Sequence, residues 1–268
     1  MTLEKKSIPL DTGVEIRYVE QGDASGTSVI FLHGVSDSWH SFEMVLPHLP
    51  PSIRAFALSQ RGHGDSSRPE SAYCADDFAA DVAAFMDAVG IRAGVIVGHS
   101  MGSAVARRFA IAYTDRTLGL VIVSSFATPR NSPVVHELWG VVSEMSDPVD
   151  PAFVSEFQES TLTRPVPRDF FETIVQESLK VPAHVWKGVI GNDVKEDYLA
   201  NVEEIAAPTL IMWGDQDEHC PRTDQETLVD SIPNARLVVY PDAGHGLHWE
   251  YPERFASDIA GFVNAVAS

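Results

Sequence analysis

Short apolar runs closed by turn residues recur along the chain: SVIFLHG (28–34), IRAFALS (53–59), AGVIVGHS (93–100), LGLVIVSS (118–125), PTLIMWGD (208–215) and ARLVVYP (235–241). Runs of this length that are apolar throughout suit strands of a parallel sheet covered on both faces. VEIRYVEQG (14–22) alternates instead, which predicts an antiparallel edge strand. Helical spacing fills the intervals. Phe78, Val82, Phe85 and Val89 recur at 4, 3 and 4 residues before a stop at Gly90. Phe255, Ile259, Phe262 and Val266 repeat the spacing after Pro252, a residue suited to a first helical turn. The alternation of the two patterns predicts an α/β chain built on a doubly wound, mainly parallel sheet.

The alternation breaks between residues 126 and 205, which hold no convincing strand. Helical pieces there are separated by DPVDP (147–151), RPVPR (164–168) and Pro182. Such a stretch is too long for a plain connection. It is expected to be an inserted helical lid, or cap, over the carboxyl ends of the strands, where ligands bind in sheets of this kind. Pro148, Pro151, Pro165 and Pro167 are expected at its corners. The core is then 1–125 together with 206–268.

Composition narrows the setting more than the chemistry. Of 268 residues, 44% are hydrophobic and 21% charged, ordinary values for a globular chain with a sizeable core. The apolar runs are far shorter than the roughly 20 residues that span a membrane. MTLEKKSIPLDTG does not read as a signal peptide, so a cytoplasmic location is expected. A net charge of −19 repels nucleic acid and anionic membranes, leaving a small molecule as the expected partner. Cys74 and Cys220 are far apart and no His/Cys cluster has metal-ligand spacing, so free thiols and no metal site are expected.

GHSMG (98–102) stands between a predicted strand and a run of small residues that predicts a helix. A tight strand-to-helix turn brings backbone segments together, so a Cβ at Gly98 or Gly102 would clash. Such a turn lifts the Ser100 hydroxyl to the top of the sheet, beside the N–H groups that open the helix. The plainer role for Ser100 is to cap that helix.

A serine nucleophile needs a base to take its proton, and histidine suits neutral pH. Of ten histidines, His245 lies between glycines just beyond LVVY, with His248 as its local competitor. His248 is read as a loop-packing or gate residue; His99 and His63 are candidates on residue type alone, and His99, which adjoins the serine along the turn, is read as structural. The base in turn needs a carboxylate to fix its tautomer, and GDQDE (214–218) offers Asp215, Asp217 and Glu218.

FLHG (31–34), QRGHGDSS (60–67), GHSMG, PTLIMWGDQD (208–217) and AGHGLHWEYPERF (243–255) together make the chain resemble the α/β-hydrolase family along its whole length. The resemblance implies that fold, a serine-nucleophile esterase or lactonase branch, and a triad of Ser100, Asp217 and His245. It selects Asp217 because the family's acid commonly lies three residues after the glycine of the W-G turn. The alternative place, VSSFA (123–127), has no carboxylate. The resemblance also implies an oxyanion hole made by the backbone N–H groups of Val35 and Met101, with His33 bracing the loop. Ser59 departs from the aspartate many relatives carry, at a position that is usually structural. A serine at position 100 disfavours the epoxide-hydrolase and haloalkane-dehalogenase branches.

The implied activity is hydrolysis of a small to medium carboxylic ester through an acyl-serine, without metal or organic cofactor. Cleavage of a lactone or of a carbon–carbon bond beside a ketone ranks behind it. A small-molecule receptor on the same fold is the rival from another class. Residues 126–205 hold six Lys or Arg against fourteen Asp or Glu, which argues for a neutral substrate. The phenylalanine and tryptophan residues there are Phe126, Trp139, Phe153, Phe157, Phe170, Phe171 and Trp186. Phe126, Trp139 and Trp186 are expected to line the pocket with Leu247 and His248, and most of the others to serve as apolar feet on the core.

Overall fold

In the computed structural model, which describes residues 3–267, the predicted runs are strands of one eight-stranded sheet. The strands are β1 (Lys5–Pro9), β2 (Glu15–Gln21), β3 (Thr27–Leu32), β4 (Ile53–Ser59), β5 (Gly94–His99), β6 (Thr117–Val123), β7 (Thr209–Gly214) and β8 (Ala235–Tyr240). Their order is β1-β2-β4-β3-β5-β6-β7-β8. β4 to β8 pair in parallel through β3, while β1–β2 and β2–β4 are antiparallel.

The strand at 14–22 is antiparallel as expected but is not the edge. β1 lies outside it, with Ile8 paired to Ile16. KKSIP has no buried residue, so its apolar signal is too weak to mark a strand. The charged and proline-ended strip does suit an exposed sheet edge.

Period-two geometry explains why the central runs are apolar throughout. Ile30, Leu32, Ile96 and Ile122 face one layer, and Val29, Phe31, Val97 and Val123 face the other. The first layer is covered by α1 (Ala75–Ala88) and α2 (Met101–Ala112), through Phe78, Val82 and Phe85 and through Val105 and Phe109. Four further helices occupy 126–205: α3 (Pro133–Val142), α4 (Pro151–Glu159), α5 (Arg168–Ser178) and α6 (Ala183–Asp193). Prolines open α3 and α4 at their first turns, and Pro167 and Pro182 precede α5 and α6. Val154, Val185 and Trp186 seat this helical segment on the first layer. After β7 come α7 (Arg222–Ser231), the short α8 (Leu247–Glu250) and α9 (Pro252–Val266). The second layer lies under α9, whose Phe255, Ile259 and Phe262 are buried at the predicted spacing. Among the described residues, no helix is long and apolar enough to cross a membrane.

The site is positioned by the order β4-β3-β5. From β3 the chain goes to one side and β5 returns on the other, so the loops leaving β3 and β5 part at a switch point. A crevice forms there at the carboxyl ends of the strands.

Candidate active site

Ser100 occupies the turn between β5 and α2 with φ 52° and ψ −118°. That backbone region is sparsely populated for a residue with a side chain and costs on the order of 1–3 kcal/mol. The turn is held by its neighbours. A Cβ on Gly98 would lie 2.1 Å from the Gly102 carbonyl oxygen, and one on Gly102 would lie 2.3 Å from that of Leu32. The Ser100 N–H donates to the Val123 carbonyl on β6 at 3.0 Å. Its hydroxyl makes no capping bond to α2, so the plainer role considered for it is not the one it fills.

β8 delivers His245 and β7 delivers Asp217. Nδ1 of His245 lies 3.1 Å and 3.0 Å from Oδ1 and Oδ2 of Asp217. A carboxylate there can only accept, so Nδ1 carries the proton and Nε2 is left as the basic nitrogen. Asp217 is buried and also accepts from the N–H groups of His219 and Cys220, both at 2.9 Å. Burial pushes its carboxyl up, but the His245 ring and these donors outweigh it and hold the group below the usual carboxylate range. Asp215 instead accepts from the Asp242 N–H at the surface, 2.8 Å away.

Three other histidines support the loops. His99 donates from Nε2 to the His245 carbonyl at 3.1 Å, fixing the backbone that carries the imidazole. His33 accepts the Gln60 N–H at Nε2 and donates from Nδ1 to the Gly34 carbonyl, at 3.0 Å and 2.7 Å. Both bonds hold the turn that leads into Val35. His63 donates to the Arg61 carbonyl at 2.7 Å. The N–H groups of Val35 and Met101 have no acceptor among the described residues, and both residues line the cavity that contains Ser100 and His245.

That cavity encloses about 610 Å³ of empty space, its mouth included. Phe126, Pro129, Val135, Leu138, Phe157 and Ile190 form most of its apolar wall. Of the five residues expected to line it, Phe126 does, and the other four are elsewhere. Trp139 packs on α6, where a Cβ on Gly191 would lie 3.1 Å from its ring. Trp186 is fully buried edge-on to Phe153 and Phe157, with ring centroids 5.6 Å and 5.2 Å away. Leu247 belongs to the layer under α9. His248 lies buried against Phe42 and pairs Nε2 with the Ser41 hydroxyl at 3.0 Å, and burial pulls its ring down to about 3. Trp186, Leu247 and His248 are buried in the interior, while Trp139 is only partly buried where it packs on α6.

The sequence reading missed several groups on the walls. Ser103, Ala104 and Arg107 follow Ser100 at i+3, i+4 and i+7, one stripe of α2, so their spacing could have revealed them. A recess on the other side of Ser100 is lined by Gly34, Asp37, Gln158 and Trp249. Nothing in HGVSDSW (33–39) marks Asp37 as buried there. Donor atoms of Asp217, Cys220 and His245 fall within 4.8 Å of one another. The chemistry does not suit a metal: Asp217 and His245 bond each other, while burial raises the Cys220 thiol well above its ordinary range and its Sγ points to the Ser124 carbonyl.

Known proteins agree with this architecture. Residues 27–252 match the alpha/beta hydrolase fold. A non-heme haloperoxidase of Rhodococcus erythropolis is 28% identical, with 94% of this chain and 97% of that protein covered. A bifunctional esterase/perhydrolase of Acinetobacter calcoaceticus is 23% identical, with 94% and 97% covered. The solved structure of a thermophilic esterase from Thermogutta terrifontis has a TM-score of 0.84 at 25% identity, covering 99% of this chain and 100% of that one. The chain therefore belongs to the alpha/beta hydrolase fold family.

Proposed function

We propose that the protein is a serine-dependent carboxylic ester hydrolase working through Ser100, His245 and Asp217. The observation that carries this reading is the His245–Asp217 pair, 3.0 Å apart, beside a strained serine whose cavity also exposes two unpaired main-chain N–H groups. Ser100 Oγ attacks the ester carbonyl carbon and passes its proton to His245 Nε2, and Asp217 stabilises the imidazolium. The oxyanion accepts from the N–H groups of Val35 and Met101, each worth on the order of 10²–10³ in rate. The carbon–oxygen bond breaks, the alcohol leaves with the proton from His245, and water resolves the acyl-serine by the same route.

Residues 126–205 serve as a cap in this reading, supplying the apolar wall against the core formed by 1–125 and 206–268. Such a wall suits the uncharged body of a small to medium ester. Similar proteins called esterases support the ester class, while the haloperoxidase shares the fold under a different activity. The test is sustained turnover of short p-nitrophenyl esters, with Ser100→Ala as the blank. Turnover lost in that variant is the expected result. A single burst without turnover would favour a receptor instead.

A further inference from the structure

α2 carries two consecutive arginines with opposite circumstances. Arg108 is partly exposed and holds Asp76 in a two-pronged pair, both bonds at 2.7 Å. Arg107 is 1% exposed and has no carboxylate within ion-pair distance among the described residues. Its Nη2 donates to the Phe126 carbonyl at 2.8 Å and the Ser125 hydroxyl at 3.1 Å, and its Nη1 donates to the Tyr198 carbonyl at 3.3 Å. All three acceptors are neutral, Nε has no hydrogen-bond partner among the described residues, and the guanidinium carbon lies 5.6 Å from the centroid of the Tyr198 ring. Burial pulls the guanidinium down to about 10, which leaves it charged at neutral pH.

A desolvated cation without a counter-ion is costly to keep in a fold. The carboxyls closest in effect are committed elsewhere. Asp193 accepts the Tyr198 hydroxyl at 2.7 Å, and Asp224 accepts the Ala127 N–H at 2.9 Å. Burial pushes both upward, Asp193 to about 6, which leaves Asp193 mostly ionised at neutral pH, but neither carboxyl is in ion-pair contact with the guanidinium. Arg107 lines the same cavity as Ser100, seven residues along one face of α2. At the helical rise that is about 10 Å from the serine, the scale of a short acyl chain.

We infer that Arg107 is the anion-binding end of the acyl pocket, and that the preferred substrates are esters whose acyl chain ends in a carboxylate. This rests on the ester-hydrolase reading and replaces the neutral substrate expected from the cap's charge count. The acids of the cap are counted over its whole surface, whereas a substrate meets the wall on which Arg107 stands. A carboxylate there accepts from Nε and leaves the three existing bonds in place. Asp193, on the same wall, opposes it when ionised.

The experiment compares kcat/KM for mono-p-nitrophenyl adipate with that for p-nitrophenyl hexanoate, so that each protein is its own reference. The wild-type ratio is expected well above one. In Arg107→Met it should fall about tenfold to a hundredfold, the worth of a charge-assisted hydrogen bond. Arg107→Lys should retain part of the preference, and Asp193→Asn, which can still accept from Tyr198, should raise it. A wild-type ratio at or below one, or an equal ratio in wild type and Arg107→Met, overturns the inference even where both esters are turned over. Turnover of neither ester overturns the ester reading instead. Calorimetry on Ser100→Ala with monomethyl adipate against dimethyl adipate then decides the anion site separately. Tighter binding of the monoester, lost on adding Arg107→Met, supports it, and equal binding of the two overturns it.

Discussion

The side-chain amide of Gln158, on α4, donates to Oδ1 of Asp37 at 3.0 Å and, from the same nitrogen, reaches the Ser36 hydroxyl at 3.1 Å and the Ser178 hydroxyl at 2.8 Å. One buried amide thus joins α4 and α5 to the loop that presents the Val35 N–H. Ser36 adopts φ 65°, so this loop is held in a conformation its own residues do not favour.

Gln158→Leu should therefore relax the proposed oxyanion donor rather than the binding surface. Transition-state interactions appear in kcat, so kcat is expected to fall about tenfold to a hundredfold with a much smaller change in KM. Steady-state kinetics on a short ester checks it. A rise in KM at constant kcat would place Gln158 in ground-state binding instead.

His245 and His248 are three residues apart and in different settings, one on Asp217 and one buried on Ser41. Ser100→Ala and His245→Ala should each lower kcat by about 10⁴–10⁶, because such groups act as a unit. His248→Ala should instead cost stability, about 1–3 kcal/mol for a buried polar packing residue. Rates and urea melts on the three variants separate these outcomes. An equal loss of kcat in His248→Ala would assign the base to the wrong histidine.

The sheet was legible because both its faces are covered, which makes each central strand an unbroken apolar run. β1 was not, since KKSIP contributes no buried side chain. The turn at Ser100 could be read because glycine at 98 and 102 has a steric reason that the structure restates in contact distances. The pocket walls were hard to read for a different cause. Trp186 and Phe157 are both aromatic and sit in touching helices, yet only Phe157 reaches the cavity. Periodicity tells which side of a helix is apolar, but not which of two apolar neighbours that side meets. Arg107 could not be told from Arg108 in the sequence, because adjacent residues of one type carry no signal of which side of α2 is buried.

Asp215 and Asp217 flank Gln216 in one loop, and only Asp217 is buried against the imidazole. Asp217→Asn would turn an N–H donor toward Nδ1 or lose an acceptor, favouring the tautomer with its proton on Nε2. A fall in kcat of about 10⁴ is expected for that reversal. Asp215→Asn removes a surface charge from a bond to the Asp242 N–H and should change kcat little. The two variants assayed side by side check the assignment, and the reverse ranking would move the orienting acid to Asp215.

Asp37 gives the protein a pH dependence with a definite sign. Burial raises its carboxyl from 3.8 to about 7, against the lowering effect of the bonds from Gln158 and Ser41. Between those two values the folded state holds a proton that the unfolded chain has released. The stability from that bound proton is complete below the unfolded value and is lost as pH rises through about 7, at no more than roughly 1.4 kcal/mol per unit. Asp37→Asn keeps an oxygen for Gln158 and has no charge to bury. It should therefore gain on the wild type as pH goes from about 5 to about 8, in the window set by the shifted carboxyl. Urea denaturation of both proteins at the two ends measures the gap. Parallel curves across that range would mean that Asp37 is ionised in the fold throughout.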